Sequence, residues 1–582
     1  MKHRWVKGKA YKTFRISLDF AIITILGIII FRRWFFTSEW PAGGDILGWI
    51  SRAYLYGNNL RWLYTWVDQS FGFSHRIDSI DFFLMLIYLF TKDAVITVKI
   101  LTFFTFILAG FTMYALTYYY TSRNISALSA SLIYCLNQSL CSQYTEGHLQ
   151  ILFSYALAPL LFLLSDKALK DRNLKNMLLL ALLLTVSVTG FHPLCIIIYG
   201  LFLAAFIVFQ ISSTIKYKKP KETIDILKVL SIVAATSFLL SAFSYLPFIL
   251  NVRDPYYSPS FYYPIEDAFN LSHENFTEAF TLRAIENWGY KSIINISTDL
   301  GLPDFPIYTL LLIIFLSALC TAFFRKDRYT TFFALSAVVS AFIAKGPHPP
   351  FGYLFIWAWH NIPHFAVFRA ANRFALMTSL SNAFLVSVLV DILVNYIQKS
   401  KELKAKVFLL KVKVEGKELN VSLESLNKII KSLRSVLYNV SVLLLIFILL
   451  SGLLSCFYLF SQGLQVYTPP KKYLAPYNWL KNQTGDYKVI TVTNSPSEWE
   501  NRPKQESDFA FSGMKTSLGW GHDIGYDSSF IHDKPVLQDG GWNPLTRDLV
   551  SHLRFRLVRN FFTDDFFKIC LLYTSDAADE LD

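Results

Sequence analysis

The chain has 582 residues, 53% of them hydrophobic, 17% aromatic and only 17% charged, with a mean hydropathy of +0.37. A water-soluble domain needs more charge than this to cover its surface. The net charge of +13 sits in short loops between apolar blocks, which is the positive-inside pattern of a membrane protein rather than the signature of a nucleic-acid binder.

The apolar blocks are about 20 residues long, enough to cross a hydrocarbon core of about 30 Å. The fold class expected is mainly α, a polytopic helical membrane protein with about 11 transmembrane helices, N-terminus inside and C-terminus outside. The alternation of a membrane barrel is absent. A basic stretch from Lys2 to Arg15 precedes a first span near 16–36, against which Arg32 and Arg33 argue only weakly. Residues 37–94 then lie outside. Within them Ile80 to Phe90 is apolar but too short to cross, so it reads as an interfacial or re-entrant helix. Spans near 95–119, 125–143 and 149–165 return the chain to the inside at Asp166, beside Lys167, Lys170, Arg172 and Lys175. Spans near 176–190 and 192–211 flank an outer turn at Gly190-Phe191-His192-Pro193, and one near 226–250 leads to an outer loop, 251–305. Spans near 306–324 and 330–345, an outer segment 346–371 and a span near 372–397 complete a transmembrane core, 1–397.

Residues 398–435 form a basic cytoplasmic insert, with a hairpin pattern around Glu415-Gly416 and helical spacing from Leu423 to Leu433. A last span, 436–460, precedes a soluble outer domain of α/β or β-containing type, 461–569, in which Tyr487 to Val492 reads as a strand. Cys570 to Glu580 reads like the translation of a sequencing adapter, so 570–582 is expected to be foreign and the natural chain to be longer. The six cysteines lie mostly inside apolar blocks and form no C-x-x-C, which implies neither disulfides nor zinc. No P-loop, G-x-S-x-G or H-E-x-x-H occurs, which argues against an ATP-driven pump and the common hydrolases.

The topology gathers ionisable residues in one outer layer. Asp45 follows Gly43-Gly44 just past the first span, where it reads as a site residue, a helix N-cap or both. Glu146 and His148 open a span, and His192 and Arg253 lie in outer turns. Arg369 and Arg373 are four apart, which would put them on one face of a helix start, against the positive-inside trend. A carboxylate can act as a general base or bind a hard cation, and arginines clamp phosphates. These are the parts needed to transfer a group from a lipid phosphate.

With Asp45 in the first outer loop, the Thr145-Glu146-Gly147-His148-Leu149-Gln150 opening and the stretch from Pro363 to Phe374, the chain resembles the GT-C superfamily of integral membrane glycosyltransferases. The last stretch looks like the P…FR…RF segment of YfhO-like and uncharacterised archaeal members. Asp539-Gly540-Gly541-Trp542, Arg547-Asp548 and Arg559 to Phe567 look like their outer domain.

The resemblance implies a sugar donor on a polyprenyl phosphate, a glycan, lipid or protein acceptor on the outer face of a prokaryotic, archaeal cell membrane, and inverting transfer. Asp45 would be the base. Glu146, His148, Arg369, Arg373, His192 and Arg253 would bind substrate. A D-x-D is missing from the first loop, so a divalent cation is not assigned a site. The rival readings are a polysaccharide or lipid transporter, for which no internal repeat is evident, and a non-catalytic assembly protein for surface polymers.

Overall fold

A computed structural model describes residues 2–41, 45–46, 48–50, 52–53, 66–67, 73–74, 78–216, 220–251, 265–283, 305–407, 464, 466–467, 489–490 and 536–537. These residues are mostly helical. Helix α1 (Lys2–Ile30) is followed by a single turn, Arg32–Phe35. Then come α2 (Ser79–Thr91), α3 (Ala94–Thr121), α4 (Asn124–Cys135), α5 (Gln138–Thr145), α6 (Leu149–Asp171), α7 (Leu174–Gly190), α8 (Pro193–Lys216) and α9 (Pro220–Asn251). Two short helices, α10 (Ile265–Asn270) and α11 (Phe276–Thr281), precede α12 (Phe305–Arg325), α13 (Arg328–Ala344), α14 (Gly352–Asn361) and α15 (Ala375–Val407).

Among the described residues five helices are long and apolar enough to cross a membrane: Ala94–Thr121, Leu149–Asp171, Pro193–Ser212, Lys221–Leu246 and Ala371–Tyr396. The chain is thus a multi-pass helical membrane protein. The expected span 436–460, the basic insert beyond Val407 and the segment 570–582 lie outside the described residues, as does nearly all of 461–569. Of that last domain, Val489–Ile490 pairs in parallel with Val536–Leu537. Elsewhere Trp40–Pro41 pairs antiparallel with Val466–Tyr467, and Trp66–Val67 with Phe73–Ser74.

Two-residue corners set the hairpins of the bundle. At Lys92-Asp93, Ser122-Arg123, Arg172-Asn173 and Lys326-Asp327 the first residue is left-handed, with φ of 53°, 56°, 52° and 48°. A left-handed residue closes the preceding helix. The second residue is extended, and Asp93, Asn173 and Asp327 cap the next helix with their side chains. Non-glycine residues in this conformation each cost about 1 kcal/mol. Burial of the facing helices outweighs that cost.

Two expected spans differ from the structure. The block 125–143 is not one helix, because it breaks between Cys135 and Gln138. Asn137 is the cause: its Oδ1 accepts from the Leu140 N–H (2.9 Å), and its Nδ2 donates to the Tyr134 carbonyl (2.8 Å) and to Ser379 Oγ (3.2 Å). A side chain that offers such local bonds competes with the helical ladder. Helix α6 does not stop near 165 but runs on to Asp171. Asp166 is tolerated in the buried last turn because it pairs with Lys170 (2.6 Å) and accepts from Tyr329 Oη (2.9 Å).

Among the described residues the larger apolar cluster is shared mainly by α3, α4, α6, α8, α13 and α15, and a smaller one joins α6, α7 and α9. Within the larger one Tyr134 and Tyr155 stack with ring centres 3.9 Å apart. Each hydroxyl donates to the other residue's carbonyl, at 2.7 and 2.6 Å. Both phenols therefore enter the apolar interior fully bonded, as burial requires.

The bundle has two polar ends. One carries Asp45. At the other, Asp391 on α15 bridges Arg123 Nε (2.7 Å) and Arg325 Nη1 (3.2 Å), and Arg325 also meets Asp327 (3.1 Å). Arg172 there reaches Asp225 at the start of α9 (3.1 Å). One largely buried carboxylate thus ties the α3–α4 corner, the end of α12 and α15 together. Asp391→Ala is expected to cost about 3 kcal/mol, since it leaves two cations without their shared anion. Asp391→Asn should cost less than half of that. Thermal unfolding in nanodiscs measures both, and an Asp391→Ala midpoint equal to the parent's would remove the clamp from the account.

Candidate functional site

The site is built where four separate chain joins meet: the loop after α1, the α5–α6 turn, the α7–α8 turn and the segment before α15. The α5–α6 turn is the seat. His148 N–H donates to the Gln143 carbonyl (3.1 Å) and Gly147 N–H to that of Tyr144 (3.2 Å). Gly147 has φ +72°, and a Cβ there would lie 2.3 Å from Ile46 Cγ1 and 2.8 Å from Ile46 N. Only glycine gives both the conformation and the room. Onto this turn the first loop closes: the Asp45 N–H donates to the Glu146 carbonyl at 2.8 Å.

Asp45 begins a helical segment, and the Trp49 N–H donates to its carbonyl (3.2 Å). Among the described residues its carboxylate makes no capping hydrogen bond. It faces His148 instead, with Oδ2 3.8 Å from Nε2. The Asp45 side chain is 54% exposed, with protein packed against the rest of it. Burial pushes its carboxyl up to about 6, and the charge of Arg373 pulls the other way.

The neighbours hold fixed protonation states around it. Glu146 is buried, and burial followed by the charge of Asp45 pushes its carboxyl well above the ordinary range. Glu146 keeps its proton, and Asp45 is the acid of the pair that ionises first. Burial, then Arg373, pushes His148 well below its ordinary value, so the ring is neutral. Its Nδ1 lies 2.9 Å from Gln143 Oε1, which can only accept. The ring proton is therefore on Nδ1, and the lone pair on Nε2 faces Asp45.

The structure brings Arg373 and His192 to the same place. Arg373 Nη1 lies 3.1 Å from His192 Nε2 and 3.4 Å from Nδ1. The Leu194 N–H donates to that Nδ1 (3.2 Å), and the His192 N–H donates to Ser154 Oγ (3.3 Å). Arg373 Nε and Glu146 Oε1 are both buried, and among the described residues neither has a hydrogen-bond partner. A buried donor on a cation and an oxygen on a buried acid are thus left with open capacity, which is costly unmet and useful to a ligand.

Arg369 is arranged differently from the sequence expectation. The stretch from Pro363 to Phe374 is not the start of an α-helix. It is two 3₁₀ segments, Phe365–Arg369 and Ala371–Phe374, broken at Ala370. The Asn372 N–H donates to the Leu271 carbonyl (3.2 Å) beyond α10. That tertiary bond replaces the helical one, and at three residues per turn positions four apart do not share a face. Arg369 acts on Asp267 of α10, whose carboxyl is raised by burial and lowered by the arginine's charge. Arg253 lies outside the described residues.

Two elements of the site escape a reading of the sequence. Gln143, five residues before His148, sets the tautomer of that ring. Arg52 reaches Asp81 (3.0 Å) and Asp78 (3.6 Å) on and before α2, and its guanidinium lies 4.9 Å from the Trp49 ring centre. Gln150 Nε2 donates to Asp78 (3.0 Å). The helical segment after Asp45 is thus anchored to α2 and α6. The three-residue spacing of Asp78 and Asp81 is visible in the sequence, but their arginine is not. Among the described residues no group of three or more His, Cys, Asp or Glu side chains is placed to hold a metal ion.

A protein-family profile described as a 6-pyruvoyl-tetrahydropterin synthase related domain, membrane protein, matches residues 79–261. No curated protein matches the chain. Similar solved structures include two of ArnT from Cupriavidus metallidurans. The apo state shows 11% identity and a TM-score of 0.47 over 94% of this chain and 92% of that one. The form bound to undecaprenyl phosphate shows 10% identity and a TM-score of 0.44 over 93% and 88%. At such identities the chemistry of the site rests on this chain's own residues.

Two outcomes follow from the geometry. Asp45 holds its proton more tightly folded than unfolded, so its stabilising contribution is complete below roughly pH 4 and lost as pH rises through about 6. Asp45→Asn should therefore raise the thermal midpoint by about 2 °C at neutral pH and leave it unchanged near pH 4, as read by scanning calorimetry in nanodiscs. Gly147→Ala forces Ile46 away and should cost about 1–3 kcal/mol. Limited proteolysis reads the result: faster cleavage between α1 and α2 is expected, and an unchanged pattern would deny the seat its role.

Proposed function

We propose that this chain is a membrane glycosyltransferase that moves a sugar from a polyprenyl-phosphate donor to an acceptor at the Asp45 end of the bundle. The observation that carries the reading is the pairing of a carboxylate that ionises near 6 with an arginine whose buried Nε has an open donor. A base near neutrality and a cation for a developing phosphate charge are the two parts such a transfer needs.

In this reading Asp45 takes the proton of the acceptor hydroxyl as its oxygen attacks the anomeric carbon. The bond between that carbon and the phosphate oxygen breaks, and the polyprenyl phosphate leaves with the electron pair. Arg373 stabilises the added charge, and Arg369 lies close enough to contribute to the same field. His192 orients Arg373. Glu146 stays protonated and offers an O–H to substrate.

Orientation follows from charge. The end opposite Asp45 carries Arg123, Lys170, Arg172, Arg325 and Arg328, which by the positive-inside trend is the cytoplasmic one. Asp45 then opens to the outer face of a prokaryotic cell membrane. In the same reading the chain has about eleven spans, a YfhO-like archaeal ancestry and an acceptor-binding outer domain over 461–569.

The test is transfer from radiolabelled polyprenyl-phosphate sugars by the protein in nanodiscs. Asp45→Asn and Arg373→Gln are each expected to lower the rate by about 100-fold or more. The parent's rate should rise with pH and level off above about 6, as Asp45 loses its proton. Full transfer by Asp45→Asn would end its assignment as the base. A correctly inserted parent with no transfer from any donor would shift weight to a transporter or an assembly protein.

A further inference from the structure

Helix α14 carries an apolar face that stays open among the described residues. The helix contains no Asp, Glu, Lys or Arg. Tyr353, Leu354 and Trp357 have the spacing of one helical face, and each is more than half exposed. Phe351 and Ile362 are exposed at its two ends. The opposite face is packed. Ala358 is buried there, and the ring of Phe355 lies 5.1 Å from that of Phe365. A Cβ at Gly352 would stand 1.8 Å from the Pro347 carbonyl oxygen, so the helix rests directly on its lead-in.

Place, continuity and size say what covers the open face. Helix α13 starts beside Arg325 and Asp327 at the Asp391 end, and α15 returns to that end. The connection that holds α14 is therefore at the Asp45 end, just before the span Ala371–Tyr396 begins. Along α13, Leu335 and Val339 are exposed on the same face as Phe342, whose ring centre is 6.0 Å from that of Phe351. The apolar flank of α13 thus runs on into α14. A helix of this length, about 15 Å, is too short to cross a bilayer. Its face, about 15 Å by 10 Å, is also far smaller than the ~800 Å² that each partner buries in a stable protein complex. Tyrosine and tryptophan join an apolar ring to a polar tip and collect where acyl chains meet headgroups.

We infer that α14 lies in the plane of the membrane at the Asp45 end, with Tyr353, Leu354 and Trp357 seated against phospholipid. The contact reaches toward the candidate site. Rings step from Phe355 to Phe365 (5.1 Å), to Phe368 (5.2 Å) and to Phe374 (5.9 Å), which adjoins Arg373. Helix α14 thus connects the lipid surface to the segment that carries Arg373. The lipid contact goes beyond the transferase reading and does not depend on it.

The experiment is photo-cross-linking of the full chain in nanodiscs of phosphatidylcholine and phosphatidylglycerol, with no sugar donor present. p-Benzoylphenylalanine replaces Tyr353 or Trp357, one at a time, so that one exposed aromatic ring stands in for another. Mass spectrometry identifies what each captures. The same replacement at Leu239, which is 73% exposed within the span Lys221–Leu246, sets the yield for a side chain in lipid. Phospholipid adducts are expected at both Tyr353 and Trp357, within about threefold of the Leu239 yield. No lipid adduct at either position, while Leu239 captures lipid, overturns the inference. So do adducts mainly to residues 461–569, which would make the outer domain the cover, or to a second copy of the chain. Transfer is not read in this experiment, so the lipid contact and the transferase reading stand or fall separately.

Discussion

Ile46 packs where a side chain at position 147 would stand, and beside it the Asp45 N–H closes on the Glu146 carbonyl. This backbone contact joins the loop after α1 to the turn between α5 and α6. The rest of the site depends on it. It fixes Asp45 before any side chain is considered, and it makes Glu146 and His148 neighbours of Asp45 through the same turn. The Arg52 bridge to Asp78 and Asp81 holds the same loop from its other side. A carboxylate held at two points loses little orientation when a ligand arrives.

The electrostatics are a consequence of that seating. Three acid or base groups are forced close together with one arginine, Glu146 buried and Asp45 half-exposed. They cannot all be charged. Burial settles the matter by leaving Glu146 protonated and His148 neutral, so that Asp45 alone titrates near neutrality against Arg373. The opposite end of the bundle shows the contrasting arrangement. There Asp391 and Asp166 have cations in direct contact. Ion pairs that complete one another hold helices together; those left incomplete are where a ligand fits.

Much of the fold was legible because lipid imposes a simple rule on sequence: apolar blocks of fixed length, with charge between them. Legibility failed where tertiary bonds override local preference. Asn137 breaks what reads as one span, because its side chain bonds Leu140 and Tyr134 locally and is held there by Tyr155 on α6 and Ser379 on α15. The Arg369–Arg373 spacing suggests an α-helical face, but the bond from Asn372 to Leu271 makes it two 3₁₀ turns. The site was legible in Asp45, Glu146 and His148, since ionisable groups beside glycines at the mouths of apolar blocks are costly and rarely idle. Gln143 and Arg52 were not, because a glutamine or an arginine in a helix has an ordinary surface reading until its partner is known.

The central claim is that the Asp45 end of the bundle receives a lipid phosphate at Arg373. A cryo-electron microscopy structure of the chain in nanodiscs with an added polyprenyl phosphate tests it most directly. The account places the phosphate within hydrogen-bonding distance of Arg373 Nε, on the same side as Asp45. A phosphate bound at the Asp391 end, or a site where Arg373 keeps its present neighbours and no lipid phosphate, would contradict it.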